Sequence, residues 1–367
     1  MKLRPPFLKR IDTYLIGKFL GTYFFSIILI ISVAVVFDYN DNIDKLTQNG
    51  APWKEIAIYY LNWMPYYANL FSSLFVFIAV IFFTSKLAGN SEIIAMLASG
   101  MSFKRLLRPY MISAALIAIV NFYLAAYLIP NGNIIRMEFE RAYKNKRVNT
   151  SAVNVQLQVG PGIIAFMQSY DNLSKRGYGF TLDKFEDKKL VSHMTANIIQ
   201  YDTISDSRYH WKAINYKIRT LKGLREHIQT GIEIDTTIMM EPLDLVYTSD
   251  QQETFTSTEL KRYISKQQER GSSNVVQYEV EYHKRIATSF ASFILTIIGV
   301  SLSARKRKGG MGLYLGIGLA LSFTYIMLQT VSATFAINAG APPMLAVWIP
   351  NILYVFIAFF CYKQAPN

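Results

Sequence analysis

The 367-residue chain has one cysteine and four histidines. A single Cys361 cannot close an intrachain disulfide, and no CxxC or HxxxH spacing exists to ligate a metal, so a disulfide scaffold and a zinc protein are excluded. Charge is scarce too: Asp, Glu, Lys and Arg make up 17% of the chain, against roughly 25% in an ordinary soluble domain. No GxxxxGK(S/T) loop is present to cradle phosphates, so the chain is not expected to hydrolyse ATP itself. Nor is a Ser-His-Asp order, a carboxylate pair or an HExxH motif visible, and His283 beside Lys284 and Arg285 has no evident partner. No catalytic, cofactor-binding or metal-binding residue is assigned. What the chain has instead is 51% hydrophobic residues, 14% aromatic residues and a formal charge of +13. That charge alone would suit a nucleic-acid binder, because clustered Lys and Arg release counterions from phosphate backbones. Its distribution points elsewhere.

A helix needs roughly 20 apolar residues to cross a hydrocarbon core about 30 Å thick. Six charge-free runs are candidates: residues 19–37, 56–85, 109–130, 286–304, 311–337 and 344–362. The fourth is the least apolar, carrying Thr288, Ser289, Ser292, Thr296, Ser301 and Ser303. The second exceeds a span by about ten residues and is expected to tilt or project past the membrane, with Asn62, Pro65 and Asn69 at its outer end. The first follows Lys2, Arg4, Lys9, Arg10 and Lys18 as a signal peptide would. It is longer than the usual apolar core of such peptides and has no small-residue cleavage site before the polar residues 38–42, so a retained helix is expected.

Short loops keep Lys and Arg on the inside. The N-terminal stretch, the loop holding Lys86, Lys104, Arg105 and Arg108, the run Arg305-Lys306-Arg307-Lys308, and Lys363 together carry fourteen basic and two acidic residues. The loop after the first run has Asp38, Asp41, Asp44 and Glu55 against Lys45 and Lys54. Both termini are therefore expected inside, with three membrane helices on each side of an outside segment. Nearly all of the excess charge thereby orients the chain.

Residues 131–280 hold no run long enough to span and near-balanced charge, as expected of an exported domain able to bury its own core. Short β-branched and aromatic stretches at 153–158, 163–168, 179–185, 196–201, 209–218 and 231–238 alternate with turn clusters such as Tyr170-Asp171-Asn172 and Glu186-Asp187-Lys188. That rhythm predicts an antiparallel sandwich or jelly-roll sheet. Residues 131–147 read as a charged continuation of the third membrane helix. Thr256-Ser257-Thr258-Glu259 fits a capping box opening a helix through Glu269 that Gly271 ends. The expected division is 1–130, 131–280 and 281–367.

The six runs contain no Asp, Glu or His, the residues by which proton- or sodium-driven transporters usually work inside the bilayer. Their Asn62, Asn69, Asn121 and Gln329 read as hydrogen bonds between helices. Gly312, Gly316 and Ala320, spaced by four, form the small-residue pattern that lets membrane helices approach closely. An energy source on another chain is expected.

The inside loop reads Asn90-Ser91-Glu92-Ile93-Ile94-Ala95-Met96-Leu97-Ala98-Ser99-Gly100-Met101-Ser102. Asn90 or Ser91 can cap a short helix near 91–99, Glu92 suits the positive end of its dipole, and Gly100 can take the left-handed conformation that ends it. Ile93, Met96 and Leu97 fall on one face, which would dock in a partner's groove or lie on lipid.

Ser91-Glu92, Ala95-Met96 and Ala98-Ser99-Gly100 resemble the cytoplasmic coupling helix in permease subunits of the lipopolysaccharide export ABC transporter, the LptF/LptG type. Three further stretches resemble that family in order: Thr258-Glu259-Leu260-Lys261-Arg262-Tyr263-Ile264 through Gly271, Glu279-Val280-Glu281-Tyr282-His283-Lys284-Arg285-Ile286-Ala287, and Gly340-Ala341-Pro342-Pro343 with Trp348-Ile349-Pro350-Asn351. The resemblance implies a six-helix inner-membrane permease with an inserted periplasmic jelly-roll-like domain. Two such permeases, sister or identical chains, would form a cavity for lipopolysaccharide. A cytoplasmic ATPase pair, carrying the ATP and Mg, would grip Ser91, Glu92, Ile93, Ala95, Met96, Leu97 and Gly100, and the lipid would pass to a periplasmic β-fold bridge. The helices at 19–37 and 311–337 would form lateral gates, with Gly312, Gly316 and Ala320 packing there. Two positions depart from the family pattern. Leu97 stands where an arginine is frequent, and of a lysine-rich outer end to the first helix only Lys45, the candidate lipid-phosphate contact, remains among Asp38, Asp41 and Asp44. An ABC permease for another amphipathic cargo, such as a lipoprotein, and a non-transporting envelope scaffold are the competing readings.

Overall fold

Apolar runs with no water to satisfy their backbone must close their own hydrogen bonds, so helices are the required outcome. A computed structural model describes residues 9–144, 151–202, 209–223, 225–245, 251–269, 275–305 and 310–365. Lys2, Arg4, Arg147, Gly271 and the basic run at 306–308 lie outside them. Contacts divide the chain into two units, one of Met1–Asn145, Gln252–Leu260 and Val276–Asn367, the other of Lys146–Gln251 and Lys261–Val275.

In the first unit, six helices among the described residues are long and apolar enough to cross a membrane. The first, α1 (Arg10–Gln48), is 39 residues long and absorbs the stretch 38–48 that the sequence suggested was a loop. Its polar side chains are satisfied within the helix: Asn42 donates to the Asp38 carbonyl at 2.7 Å and Thr47 to the Ile43 carbonyl at 2.8 Å. Acidity there does not end the helix because the carboxylates project away from it or find partners.

The long second run is not one tilted span but two helices, α2 (Trp53–Leu70) and α3 (Ser72–Gly89), broken at Phe71. Pro65 inside α2 removes a ladder donor. Beyond the break, Ser72 Oγ meets the Tyr23 hydroxyl at 2.8 Å and accepts from Asn121, which anchors the start of α3. Only α3 qualifies as a span. The excess length becomes α2, whose aromatic face of Tyr59, Tyr60 and Trp63 buries against Phe139.

A seven-residue helix, α4 (Glu92–Ala98), precedes α5 (Phe103–Tyr123), and a π-helical turn at Leu124–Leu128 joins α5 to α6 (Ile129–Tyr143). Pro130 explains that turn: it has no N–H to give to Ala126, and its ring would collide with that carbonyl in a regular helix, so one turn widens. The predicted helical continuation beyond residue 130 is present through Tyr143.

The β-branched and aromatic stretches form six strands, β1 (Ser151–Gly160), β2 (Ile163–Asp171), β3 (Arg176–Glu186), β4 (Lys189–Tyr201), β5 (His210–Lys222) and β6 (Arg225–Thr237), all antiparallel in the order β1-β2-β3-β4-β5-β6. The β-domain expectation holds, with a connectivity simpler than a jelly roll. Every strand pairs with its neighbour in sequence, and four of the five connections, all but that between β4 and β5, are tight enough to hold the two strands side by side as a hairpin. Asp187 and Lys188, both at positive φ, make the two-residue β3–β4 turn. One sheet face buries Leu157, Met167, Phe180, Ile199 and Trp211, and the Trp211 indole donates to the Met240 carbonyl at 3.0 Å. A short helix α7 (Pro242–Leu245) follows.

The helix α8 (Ser257–Glu269) opens with the predicted capping box: the Thr256 N–H donates to Glu259 Oε2 at 2.9 Å and the Glu259 N–H to Thr256 Oγ1 at 3.4 Å. The last three helices are α9 (Val275–Ser303), α10 (Gly310–Ala339) and α11 (Pro343–Lys363). Polar bonds stitch them together. Tyr325 donates to Asn351 Oδ1 at 2.9 Å, Asn351 Nδ2 to the Ala287 carbonyl at 2.8 Å, and Gln329 Nε2 to Thr288 Oγ1 at 2.8 Å.

Candidate functional site

The predicted short helix is present as α4, and Gly100 ends it with φ of 86°, a conformation that costs glycine little. Its N-terminus departs from expectation. Ser91 occupies the cap position at φ 61°, ψ 11° and makes no side-chain cap bond, because a left-handed residue turns its hydroxyl away from the following amides. Glu92 is held instead by the Asn90 amide on Oε1 at 3.3 Å and by the Tyr14 hydroxyl on Oε2 at 3.2 Å.

The apolar face also differs. Ile93 is fully buried in a cluster with Leu15 and Phe19 of α1 and Phe103 and Leu106 of α5, and Met96 and Leu97 pack on that same cluster. Those three residues fasten α4 to its own bundle. The face left open is Ser91, Ile94, Ala95 and Ala98, with Ile94 47% exposed. Period alone found the apolar stripe but could not say whether its own chain or a partner covers it.

Beside α4, Asp12 in the first turn of α1 and Arg105 in the first turn of α5 form a two-pronged ion pair, Nη1 to Oδ1 and Nη2 to Oδ2 both at 2.7 Å. Asp12 is 1% exposed and also accepts from the Lys9 amide at 2.9 Å. Sequence reading counted both residues only as loop charges. Ser102, which caps α5 by accepting from the Arg105 N–H at 3.3 Å, completes the turn between α4 and α5.

At the other end of α3, a cavity of about 70 Å³ is lined by Tyr66, Asn69, Asn121, Asn133, Lys284 and Gln329, among others. Three of the four amides read as helix-packing groups therefore share one polar site. Arg285 is 5% exposed and binds Glu281 at 2.9 Å, the Phe255 carbonyl at 3.0 Å and Ser257 Oγ at 3.1 Å. Arg136, equally buried, lies 4.1 Å over the Tyr66 ring and 3.3 Å from Glu253, which also accepts from the Tyr66 hydroxyl at 3.1 Å. Burial and the Glu253 carboxylate together push the Tyr66 hydroxyl pKa up, which keeps it a neutral donor. No local signal announced this cluster, since Tyr66 and Arg136 lie 187 and 117 residues from the Glu253 they share.

Lys45 is exposed in the last turn of α1. Of its acidic neighbours, Asp38 is already engaged by Lys144 at 2.7 Å and by the Tyr60 hydroxyl at 2.9 Å. Gly312, Gly316 and Ala320 are exposed, and added Cβ atoms at the two glycines would meet nothing within 4 Å. The close approach inside this chain belongs to Gly318, where a Cβ would lie 2.4 Å from Ile81 of α3.

Among the described residues, six long apolar helices, a short loop helix held to their ends and an inserted antiparallel sheet define a polytopic helical membrane protein carrying a β domain. The chain matches the family model of the lipopolysaccharide export system permease LptF/LptG over residues 13–364 and belongs to that family. No curated protein matches the chain.

Proposed function

We propose that the chain is one permease half of an ATP-driven complex that extracts lipopolysaccharide from the inner membrane and passes it to a periplasmic bridge of similar β-fold. The observation that carries this reading is the family match across essentially the whole chain, supported by membrane runs that hold no Asp, Glu or His. ATP and Mg belong to a partner ATPase pair. That pair would grip the inside loop helix at Glu92 and at the open face of Ser91, Ile94, Ala95 and Ala98, with Gly100 fixing where the helix stops. Both termini would lie in the cytoplasm and residues 131–280 in the periplasm, a reading supported by the basic short loops. A second permease, sister or identical, would lie against the exposed small-residue face of Gly312, Gly316 and Ala320, since small residues let membrane helices approach closely. An open strand edge would extend into the bridge by strand addition. Lys45 at the outer end of α1 would attract lipid phosphate as a point charge.

The test is co-purification of the chain with the ATPases in mild detergent. Wild-type chain is expected to retain them and Glu92→Ala to lose most of the bound ATPase, while wild-type chain without any ATPase overturns the reading. Native mass spectrometry of co-purified lipid A-bearing species separates lipopolysaccharide from a lipoprotein cargo.

A further inference from the structure

We infer that Asp12 and Tyr14 are positioning residues that pass movement of α4 directly to α1. The inference rests on the coupling role proposed for α4. Two independent polar contacts bracket the short helix from the first turns of α1, one to α4 itself and one to the start of α5 that follows it. On the N-terminal side, the Tyr14 hydroxyl holds Glu92. On the C-terminal side, the chain passes through Ser102 into α5, and three residues later Arg105 is gripped by Asp12. Between these two points Ile93 is sealed into one cluster with Leu15 and Phe19. A displacement of α4 therefore meets α1 at a hydroxyl–carboxylate bond, an apolar wedge and a planar ion pair, all within its first three turns.

The ion pair carries most of this. A guanidinium and a carboxylate matched prong to prong transmit direction as well as force, because rotating one plane breaks a bond on one side. With Asp12 1% exposed, loss of Arg105 would leave a buried charge unpaired, so the two first turns move as one body. At 1.5 Å per residue, the 39 residues of α1 reach about 58 Å. In its distal third, about 42 Å along, Asp38 is tied to Lys144. Tilting the first turn thus moves the whole helix against the neighbours that hold its distal third.

The experiment uses the complex with its ATPases in vesicles containing lipopolysaccharide and follows ATP hydrolysis and lipid release together. Asp12→Asn keeps the shape and removes the charge. Tyr14→Phe removes one exposed hydroxyl and leaves the fold intact. Hydrolysis is expected to persist in both while lipid released per ATP falls, by about tenfold for Asp12→Asn and about twofold for Tyr14→Phe, in proportion to a charged against a neutral bond. The exchanged pair Asp12→Arg with Arg105→Asp should recover most of the loss. Release per ATP that stays at the wild-type value in either folded variant overturns the inference, as does a fall in hydrolysis equal to the fall in release. If Asp12→Asn does not fold, Tyr14→Phe decides alone. Failure of the wild-type chain to bind ATPases would instead overturn the proposed function.

Discussion

Gly316 and Gly318, two positions apart on α10, separate two kinds of close packing. A side chain at Gly318 would be driven into Ile81 and Phe77 of α3, with contacts of 2.4 and 3.1 Å for the first carbon alone. Gly318→Leu should therefore destabilise the chain itself by about 1–3 kcal/mol, the range for overpacking, read as a lower unfolding temperature in detergent. Gly316→Leu meets open space, so it should leave that temperature unchanged and weaken pairing with a second permease, read by crosslinking in the membrane. Equal destabilisation by both would remove the distinction. The four-residue spacing pointed to Gly312, Gly316 and Ala320 because it describes one helix face; it does not say what that face meets. Gly318 breaks the spacing, so the pattern missed the glycine that its own fold requires. Arg285 shows the same limit. In the sequence it is one basic residue at a run boundary, whereas in the fold it binds the carbonyl of Phe255 and the hydroxyl of Ser257, contacts that no local pattern encodes. The Thr256–Glu259 box was readable because both of its bonds close within four residues.

At the level of elements, readability followed the length over which the causes act. β-Branched and aromatic stretches set between turn clusters placed all six strands, since both signals are local. The break at Phe71 was not read, because it depends on Ser72 being held from Tyr23 and Asn121, residues of other helices. One hairpin allows a sharp test. Asp171 in the β2–β3 turn accepts from the Ser174 hydroxyl at 2.7 Å and from the Leu173 and Ser174 amides at 3.2 Å, and these bonds hold its carboxyl below the ordinary value of 3.8. A carboxyl whose folded pKa is lowered stabilises the turn above its unfolded value and loses that stabilisation as pH falls through the lower folded value. The turn should thus be tight near neutral pH and loosen only below about pH 4. Amide exchange at Leu173 and Ser174, corrected for intrinsic rates, should accelerate in that acid window. In Asp171→Asn it should be fast already at pH 6 and show no further acid step. An acid step that survives in Asp171→Asn would assign the loosening to another group.

For the whole molecule, the informative feature was the placement of charge. The formal +13 of the chain is concentrated in short connections and at the termini, and the helices they flank are long and apolar enough to span a bilayer. Positive loops resist transfer across the membrane, so the rule predicts one orientation for all six helices together. The end of α1 and the exit of α4 should consequently lie on opposite sides. Cys361 is the sole cysteine, so a Cys361→Ser background reports on any new thiol without interference. In that background Thr47→Cys and Ser99→Cys place thiols at exposed positions. A membrane-impermeant maleimide added to spheroplasts should label Thr47→Cys at once and Ser99→Cys only after the membrane is opened. The reverse pattern would put α4 outside, beyond the reach of any cytoplasmic ATPase, and would remove the proposed coupling whatever the family. Labelling of both from outside would show that the loop holding Lys86, Lys104, Arg105 and Arg108 had crossed the bilayer, and the charge rule would then fail for this chain. With that asymmetry Glu92 would lie inside and Lys45 outside, and α1, which carries Lys45 in its last turn and meets Glu92 through Tyr14, would connect them.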